Sequence, residues 1–322
     1  MRRLFFLIGT LVLASSAYSA EQDFPNRPLR IVVPFGPGGG SDFVARLLGA
    51  RTADVLGQNT VVDNRPGAAS LLATQLVANA PNDGYTLLLQ DLIPFVVNDK
   101  IYSNAGYDPV KSFSPIAQIA TAPLMLVVNT GVEAKNVREL IALVKSRPGK
   151  FAIGNGGVGG VTHLAAVLFC SAAGLDMSII PYKGTGPALT DVVGGRVHAI
   201  IATGAAVLPL VRGDKLRLLA VASEKRLQLL PEIPTMQESG VKGYAVTNTY
   251  ILITAARTPM PLLVKLHDAF GKILRQPEIA SHLASVIIEP TPSSSPQELG
   301  ALIASEEGRW GQVTKAAGIR VE

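Results

Sequence analysis

Two glycine-rich breaks carry the chemistry that this sequence makes legible. The first runs from Phe35 to Asp42 (FGPGGGSD), the second from Asn155 to Thr162 (NGGVGGVT). Each follows an apolar run of strand character, LRIVVPF or FAIGN, and each leads into a helical pattern, FVARLLGARTADVLG or LAAVLFCSAAG. Glycine lets a ligand reach the backbone, and the first N–H groups of the following helix have no intrahelical partner. Such a break is built to hold an anion. A third place of this kind is Tyr182-Lys183-Gly184-Thr185-Gly186-Pro187.

One such terminus is weak. A carboxylate at a helix N-terminus gains ~0.3–1 kcal/mol, or ~2 when partly buried, whereas micromolar binding needs about −8 kcal/mol. Several breaks closing on one solute from two sides, with water excluded, can supply the difference. The pattern therefore predicts a cleft between two lobes that grips a small anion.

Other chemistry is poorly supported. The first break lacks the Gly-Lys-Ser/Thr of a phosphate-binding P-loop. Ser41 or Asp42 reads as its helix N-cap, and a carboxylate facing an anion would repel it. Gly154, Gly156 and Gly159, with Asp176 further on, spell a formal dinucleotide fingerprint. That pattern alone is weak, and an exported chain has little access to the dinucleotide, so no cofactor is expected. There is no G-x-S-x-G elbow, no H-E-x-x-H and no Cys/His metal spacing. The four histidines, His163, His198, His267 and His282, are scattered, and His163 reads as a helix-end hydrogen-bonding residue. Glu306-Glu307 reads as part of a solvated helix face. Lys183 has three readings: a partner for a ligand carboxylate, a lobe-to-lobe ion pair, or a solvated side chain.

The first twenty residues, MRRLFFLIGTLVLASSAYSA, have a basic start, an apolar core from Leu4 to Ala14 and small residues after it. They are expected to be a cleavable signal peptide directing the chain to the periplasm. A cut after Ala20 puts Tyr18 at −3; Ala17 or Ser19 fits the small-residue rule better. Without Arg2 and Arg3, 27 basic residues face 24 acidic ones. Basic clusters with interleaved aromatics are lacking, so no nucleic-acid partner is expected. The single cysteine, Cys170, excludes an internal disulfide and reads as a small core side chain.

Strand-like and helix-like runs alternate almost throughout, which predicts an α/β fold with parallel-type sheets. After the strand YTLLLQ, a long irregular segment is expected from Asn98 to Ala120, then APLMLVVN as a first crossing strand. YAVTNTYILITA reads as a second. Near the C-terminus Thr258-Pro259 and Ser295-Pro296-Gln297-Glu298 read as helix starts, the latter a capping box. The apolar faces after them should pack back onto the N-terminal lobe. The chain would then cross between lobes twice, near residues 123–129 and 246–254, forming a hinge. The expected division is residues 21–122 plus 250–322 for one lobe and 123–249 for the other.

Eight segments together resemble the periplasmic substrate-binding receptors of the tripartite tricarboxylate transporter system, the Bug family. They are PNRPLRIVVPFGPGGGSDFVAR, VVDNRPGA, APNDGYTLLL, YDPVKSFSPIA, THLA, PYKGTGPALTDVVGGRV, LPEIPTMQESG and WGQVTKAAGI. The resemblance implies a two-lobed type II periplasmic binding protein that holds a small carboxylate through amides, hydroxyls and water. It implies delivery to the large and small subunits of a membrane permease, with no catalysis. The protein is expected to work as a monomer without membrane insertion.

The family's pocket positions fall on Phe35, Gly38, Gly39, Ser41, Thr162, Lys183, Gly184 and Thr185. The second break adds Gly156, Gly157 and Val158. Three departures bear on the ligand. Gln90-Asp91 stands where a small or hydroxyl pair is usual, Gly160-Val161 where serines are usual, and Ala202-Thr203 near a usual aspartate. Gln90, Asp91 and Thr203 join the candidate set for that reason. Facing the cleft, Asp91 would favour a cationic or hydrogen-donating ligand group, as in an amino acid or amide; otherwise it caps a turn. Two other classes stay open: an exported α/β enzyme acting on carboxylates, and a ligand sensor for a signalling partner.

Overall fold

The computed structural model describes residues 24–37 and 39–316. The expected signal segment and Gly38 lie outside them. The first α/β unit runs β1 (Leu29–Val33), α1 (Gly40–Gly49), α2 (Thr52–Leu56), β2 (Thr60–Asn64), α3 (Leu71–Ala78), β3 (Thr86–Asp91) and α4 (Leu92–Ile101). β1 lies parallel between β2 and β3. Its residues are almost all buried, as are those of β3, because helices cover both faces. Continuous apolar runs, rather than alternation, are the signature of such strands.

β4 (Phe113–Asn129) leads from the first half of the molecule into the second. There follow α5 (Val137–Ser146), β5 (Phe151–Asn155), α6 (Val161–Ala173), β6 (Met177–Pro181), α7 (Thr185–Val193), β7 (Ala199–Thr203), α8 (Gly204–Arg212) and β8 (Leu216–Val221). β5 is parallel to β6 and β7, and β7 is antiparallel to the far half of β4. β9 (Thr247–Ala255) then returns, pairing antiparallel with β3 and with the near half of β4. The chain ends with α9 (Met260–Leu274), α10 (Pro277–Ser285), the two-residue β10 (Glu289–Pro290) against β4, and α11 (Pro296–Ala316). Among the described residues no helix is long and apolar enough to cross a membrane.

β4 and β9 are thus the crossing pair, with Pro123 opposite Thr247 where they pass from one half-sheet to the other. Leu263, Leu266 and Phe270 of α9 join Ile31, Leu87 and Leu252 in one core. Leu299, Ile303 and Trp310 of α11 join another that continues to Leu164 and Phe169. The C-terminal helices therefore pack back on the first half-sheet, as their apolar stripes predict.

Several local expectations are corrected. The irregular segment is shorter than predicted, because β4 already begins at Phe113. Pro115 hid that early start; register shifts beside Pro115 and after Gln118 relieve the ladder. Helix α4, absent from the sequence reading, covers LIPFVVNDKI. Its residues are buried nearly all round, so no polar stripe betrays its period, and Pro94 sits harmlessly in the first turn. Thr258 turns its hydroxyl to the Ala255 carbonyl at 2.8 Å, and Pro259 is the N-cap of α9. Glu306 and Glu307 are not simply solvated. Glu306 accepts from the Trp310 indole at 2.9 Å, and Glu307 pairs with Lys100 of α4.

Candidate functional site

Strand direction decides where the glycine breaks meet. β9 runs away from the crossing, so antiparallel β3 and its parallel neighbour β1 run toward it. Asp91, the last residue of β3, lies opposite Tyr250, which lies opposite Ala120 of β4. In the other half, β4 runs away from the crossing and β7 runs toward it, ending at Thr203 opposite Leu124. β5 and β6 share the direction of β7. The ends of β1, β3, β5, β6 and β7 therefore approach the crossing from opposite sides. Ala120 and Leu124 are four residues apart, so the two edges stand about 13 Å apart along β4 at ~3.3 Å per residue.

Helices α1, α4, α6, α7 and α8 all begin at these edges. Their N-cap residues are Gly39, Asp91, Gly160, Gly184 and Thr203, and none makes a side-chain capping bond. The expectation that Ser41 or Asp42 caps α1 is corrected: Gly39 holds that position, as Gly184 does for α7. Helical geometry leaves the N–H groups of Gly40 and Ser41, Val161 and Thr162, and Thr185 and Gly186 without intrahelical acceptors. Positive partial charge thus borders the gap from both halves.

On the first side, the Ser41 hydroxyl donates to Asp91 Oδ1 at 2.9 Å. Asn64 Nδ2 donates to the Phe35 carbonyl at 3.0 Å and to Asp42 Oδ1 at 2.9 Å, pinning the glycine turn to β2. Asp42 also pairs with Arg46 at 2.9 Å, which directs its charge along α1. Phe35 is half-buried and Gly39 exposed. Burial pushes the Asp91 carboxyl up to about 6, against the opposing hydrogen bonds from Ser41 and Asn248. Gln90 points to the other face of β3 and is fully buried. Its Nε2 donates to Thr74 Oγ1 at 3.0 Å, and its Oε1 accepts from the Asp91 N–H at 2.9 Å. The structure does not bring the Gln90 amide to the gap.

The second and third breaks touch each other. Gly184 N–H donates to the Gly156 carbonyl at 3.0 Å. A Cβ on Gly156 would stand 2.9 Å from Thr185 Oγ1. Gly156 N–H donates to Thr162 Oγ1 at 2.8 Å, and Gly157 N–H to Asn155 Oδ1 at 2.9 Å. Gly157 has φ 137°, which an L side chain rarely adopts. His163 Nδ1 accepts from the Gly159 N–H at 3.3 Å, and burial lowers its pKa. Val158 is half-buried at the tip, Thr203 half-buried at the end of β7, and Lys183 exposed. Among the described residues Lys183 makes no ion pair.

Sequence reasoning missed Asn248 and Tyr250. Both are buried on the crossing strand, on the face of Asp91. Alternation within TNTYI was the available signal: it puts Asn248 and Tyr250 on one face and Thr247 and Thr249 on the other. The turn before α3 was also missed. Ala68 and Ser70 have φ 44° and 84°, a backbone strain that concentrates at functional sites. A cavity of about 800 Å³ lies beside the crossing, with Leu92, Ile93, Thr121, Thr247, Thr249 and Arg309 in its wall. None of the glycine-break residues lines it. It occupies the Thr247/Thr249 face of the crossing strand, whereas Asn248 and Tyr250 support the first break from the opposite face.

Two half-sheets joined by a pair of crossing strands, with helix N-termini facing one gap, define a two-lobed periplasmic binding protein. Residues 44–319 match the family model described as "Tripartite tricarboxylate transporter family receptor". Protein BugT of Bordetella pertussis is 32% identical over 325 residues, spanning 100% of this chain and 99% of the relative. The chain belongs to this receptor family. Among solved structures, Rpa4515 of R. palustris with adipate has TM-score 0.86 and 34% identity, covering 92% of this chain and 99% of that one. The periplasmic binding protein BugD has TM-score 0.85 and 32% identity, covering 93% and 100%. MatC (Rpa3494) from Rhodopseudomonas palustris with bound malate has TM-score 0.83 and 30% identity, covering 90% and 99%.

Proposed function

We propose that this protein captures a small organic anion in the inter-lobe gap and delivers it to a tripartite tricarboxylate-type membrane permease, without chemical turnover. The observation that carries this reading is the approach of five strand ends, with uncapped helix N-termini, from opposite sides of one crossing. Adipate and malate in two similar structures support a dicarboxylate or related acid as the ligand class. Residues 1–20 direct export to the periplasm, and the mature monomer divides into residues 21–122 plus 250–322 and residues 123–249.

In this reading Phe35, Gly38, Gly39 and Ser41 contact the ligand from one lobe. Gly156, Gly157, Val158, Thr162, Lys183, Gly184, Thr185 and Thr203 contact it from the other. Lys183 is free to swing onto the anion when the lobes close. Asp91 acts from beneath Ser41, and Gln90 acts only by holding the end of β3. Isothermal calorimetry of the mature protein against dicarboxylates, amino acids and aromatic acids tests the assignment. Saturable one-to-one binding of an organic acid is expected. Absence of binding across all three classes, or conversion of a ligand during the titration, overturns it.

A further inference from the structure

Asp91 is a carboxylate beside which, among the described residues, no cation forms an ion pair. It is 6% exposed, it closes β3, and it opens α4. Its hydrogen-bond partners are Ser41 of α1 and Asn248 of β9. Among the described residues the other titratable group that faces it is the Tyr250 phenol, itself buried on β9. The charges on α1, Asp42 and Arg46, are paired with each other. Among the described residues no lysine, arginine or histidine forms an ion pair with Asp91.

Position matters more than burial alone. Ser41 belongs to the first turn of α1, where N–H groups border the gap. Asn248 lies one residue from the Pro123–Thr247 pair at which the chain changes lobes. One carboxylate therefore joins an anion-binding turn to a crossing strand. Asn248 is 3% exposed, and its Oδ1 is buried without a hydrogen-bond partner. An ionised carboxylate can only accept, so Asn248 must offer its NH₂ and strand its carbonyl. A neutral Asp91 has an O–H, which can serve that carbonyl once the amide turns over. The cluster thus has a hydrogen-bond arrangement for each protonation state, with the Asn248 amide, which also bonds to the Tyr250 hydroxyl, turned one way or the other.

We propose that Asp91 is a proton-operated control on ligand capture: the gap takes a carboxylate more tightly when Asp91 is neutral, and Asn248 transmits the change to the crossing strand. The proposal rests on the anion-binding reading given above. A ligand carboxylate at the Gly40 and Ser41 amides competes with ionised Asp91 for the positive end of α1 and is repelled by it. Linkage makes the effect reciprocal, so binding an anion draws a proton onto Asp91. Direct contact between ionised Asp91 and a ligand ammonium group would give the opposite sign.

The test compares the intact mature protein with Asp91→Asn, titrated with malate and adipate at about pH 5.5 and about pH 7.5, on either side of the raised carboxyl. The wild type should bind about tenfold more tightly at the acid end, relative to the variant. Ligand ionisation and His163 titration are common to both proteins and cancel in that ratio. An equal pH dependence in both, or tighter wild-type binding in alkali, overturns the proposal. Thermal unfolding without ligand gives an independent readout. A carboxyl raised in the folded state contributes stability in acid that is lost as pH rises through about 6. The melting temperature of the wild type relative to Asp91→Asn should fall over that window, and Ser41→Ala should move the midpoint upward. A pH-independent difference overturns the switch. Failure of both acids to bind either protein, with the thermal midpoint present, would count against the anion-receptor reading alone.

Discussion

The Tyr250 hydroxyl occupies the place where a side chain at residue 40 would begin: a Cβ on Gly40 would stand 2.3 Å from it. A residue of the crossing strand therefore sets how α1 starts, and with it the direction of the N–H groups at the first glycine break. Gly40→Ala should destabilise the protein by about 1–3 kcal/mol, the usual range for overpacking, and weaken anion binding. Gly40→Ala with Tyr250→Phe should recover most of the stability, because the next nearest atom, Cζ, is 3.4 Å away. Chemical denaturation of the two variants checks this.

Thr162 accepts the Gly156 N–H inside the second break. Thr162→Val keeps the shape and removes the acceptor, at a cost of about 1 kcal/mol. Thr162→Ser should behave like the wild type in both melting temperature and affinity. A loss in the Ser variant with none in the Val variant would assign the effect to packing of the methyl group.

His163 holds the Gly159 N–H with an unprotonated Nδ1. Burial lowers its pKa below the ordinary 6.5. The sign follows: the folded state prefers the neutral ring, so its contribution is present above the ordinary histidine range and is lost as pH falls through the lowered value. NMR titration of the ring protons should give a midpoint below 6.5.

Lys183 is exposed and makes no ion pair among the described residues. Lys183→Ala should leave the melting temperature within experimental error and weaken carboxylate binding severalfold. A loss of stability with unchanged affinity would make it a structural residue.

Much of this architecture is written in local pattern. The breaks at Phe35–Asp42 and Asn155–Thr162, and the strand-to-helix alternation around them, declare themselves through glycine and apolar runs. Helix α4 does not, because burial on all sides erased its period. The early start of β4 is masked by Pro115, beside which the register shifts. At the site, sequence placed the glycines correctly at helix starts but assigned the caps to the wrong residues. Ser41 bonds across the sheet to Asp91, a contact fifty positions away that no local rule contains. Gln90 and Asp91 are neighbours with opposite fates, since strand geometry sends one into the core and the other toward the gap.

The most direct measurement is an amide NMR titration of the mature protein with malate and adipate. If a single negative solute is embraced from both lobes, the signals of Gly39, Gly40 and Ser41 should shift together with those of Gly157, Thr162 and Thr185, along one saturation curve. Shifts confined to one of these groups, or centred on Thr121, Thr247 and Arg309 around the neighbouring cavity, would contradict the account.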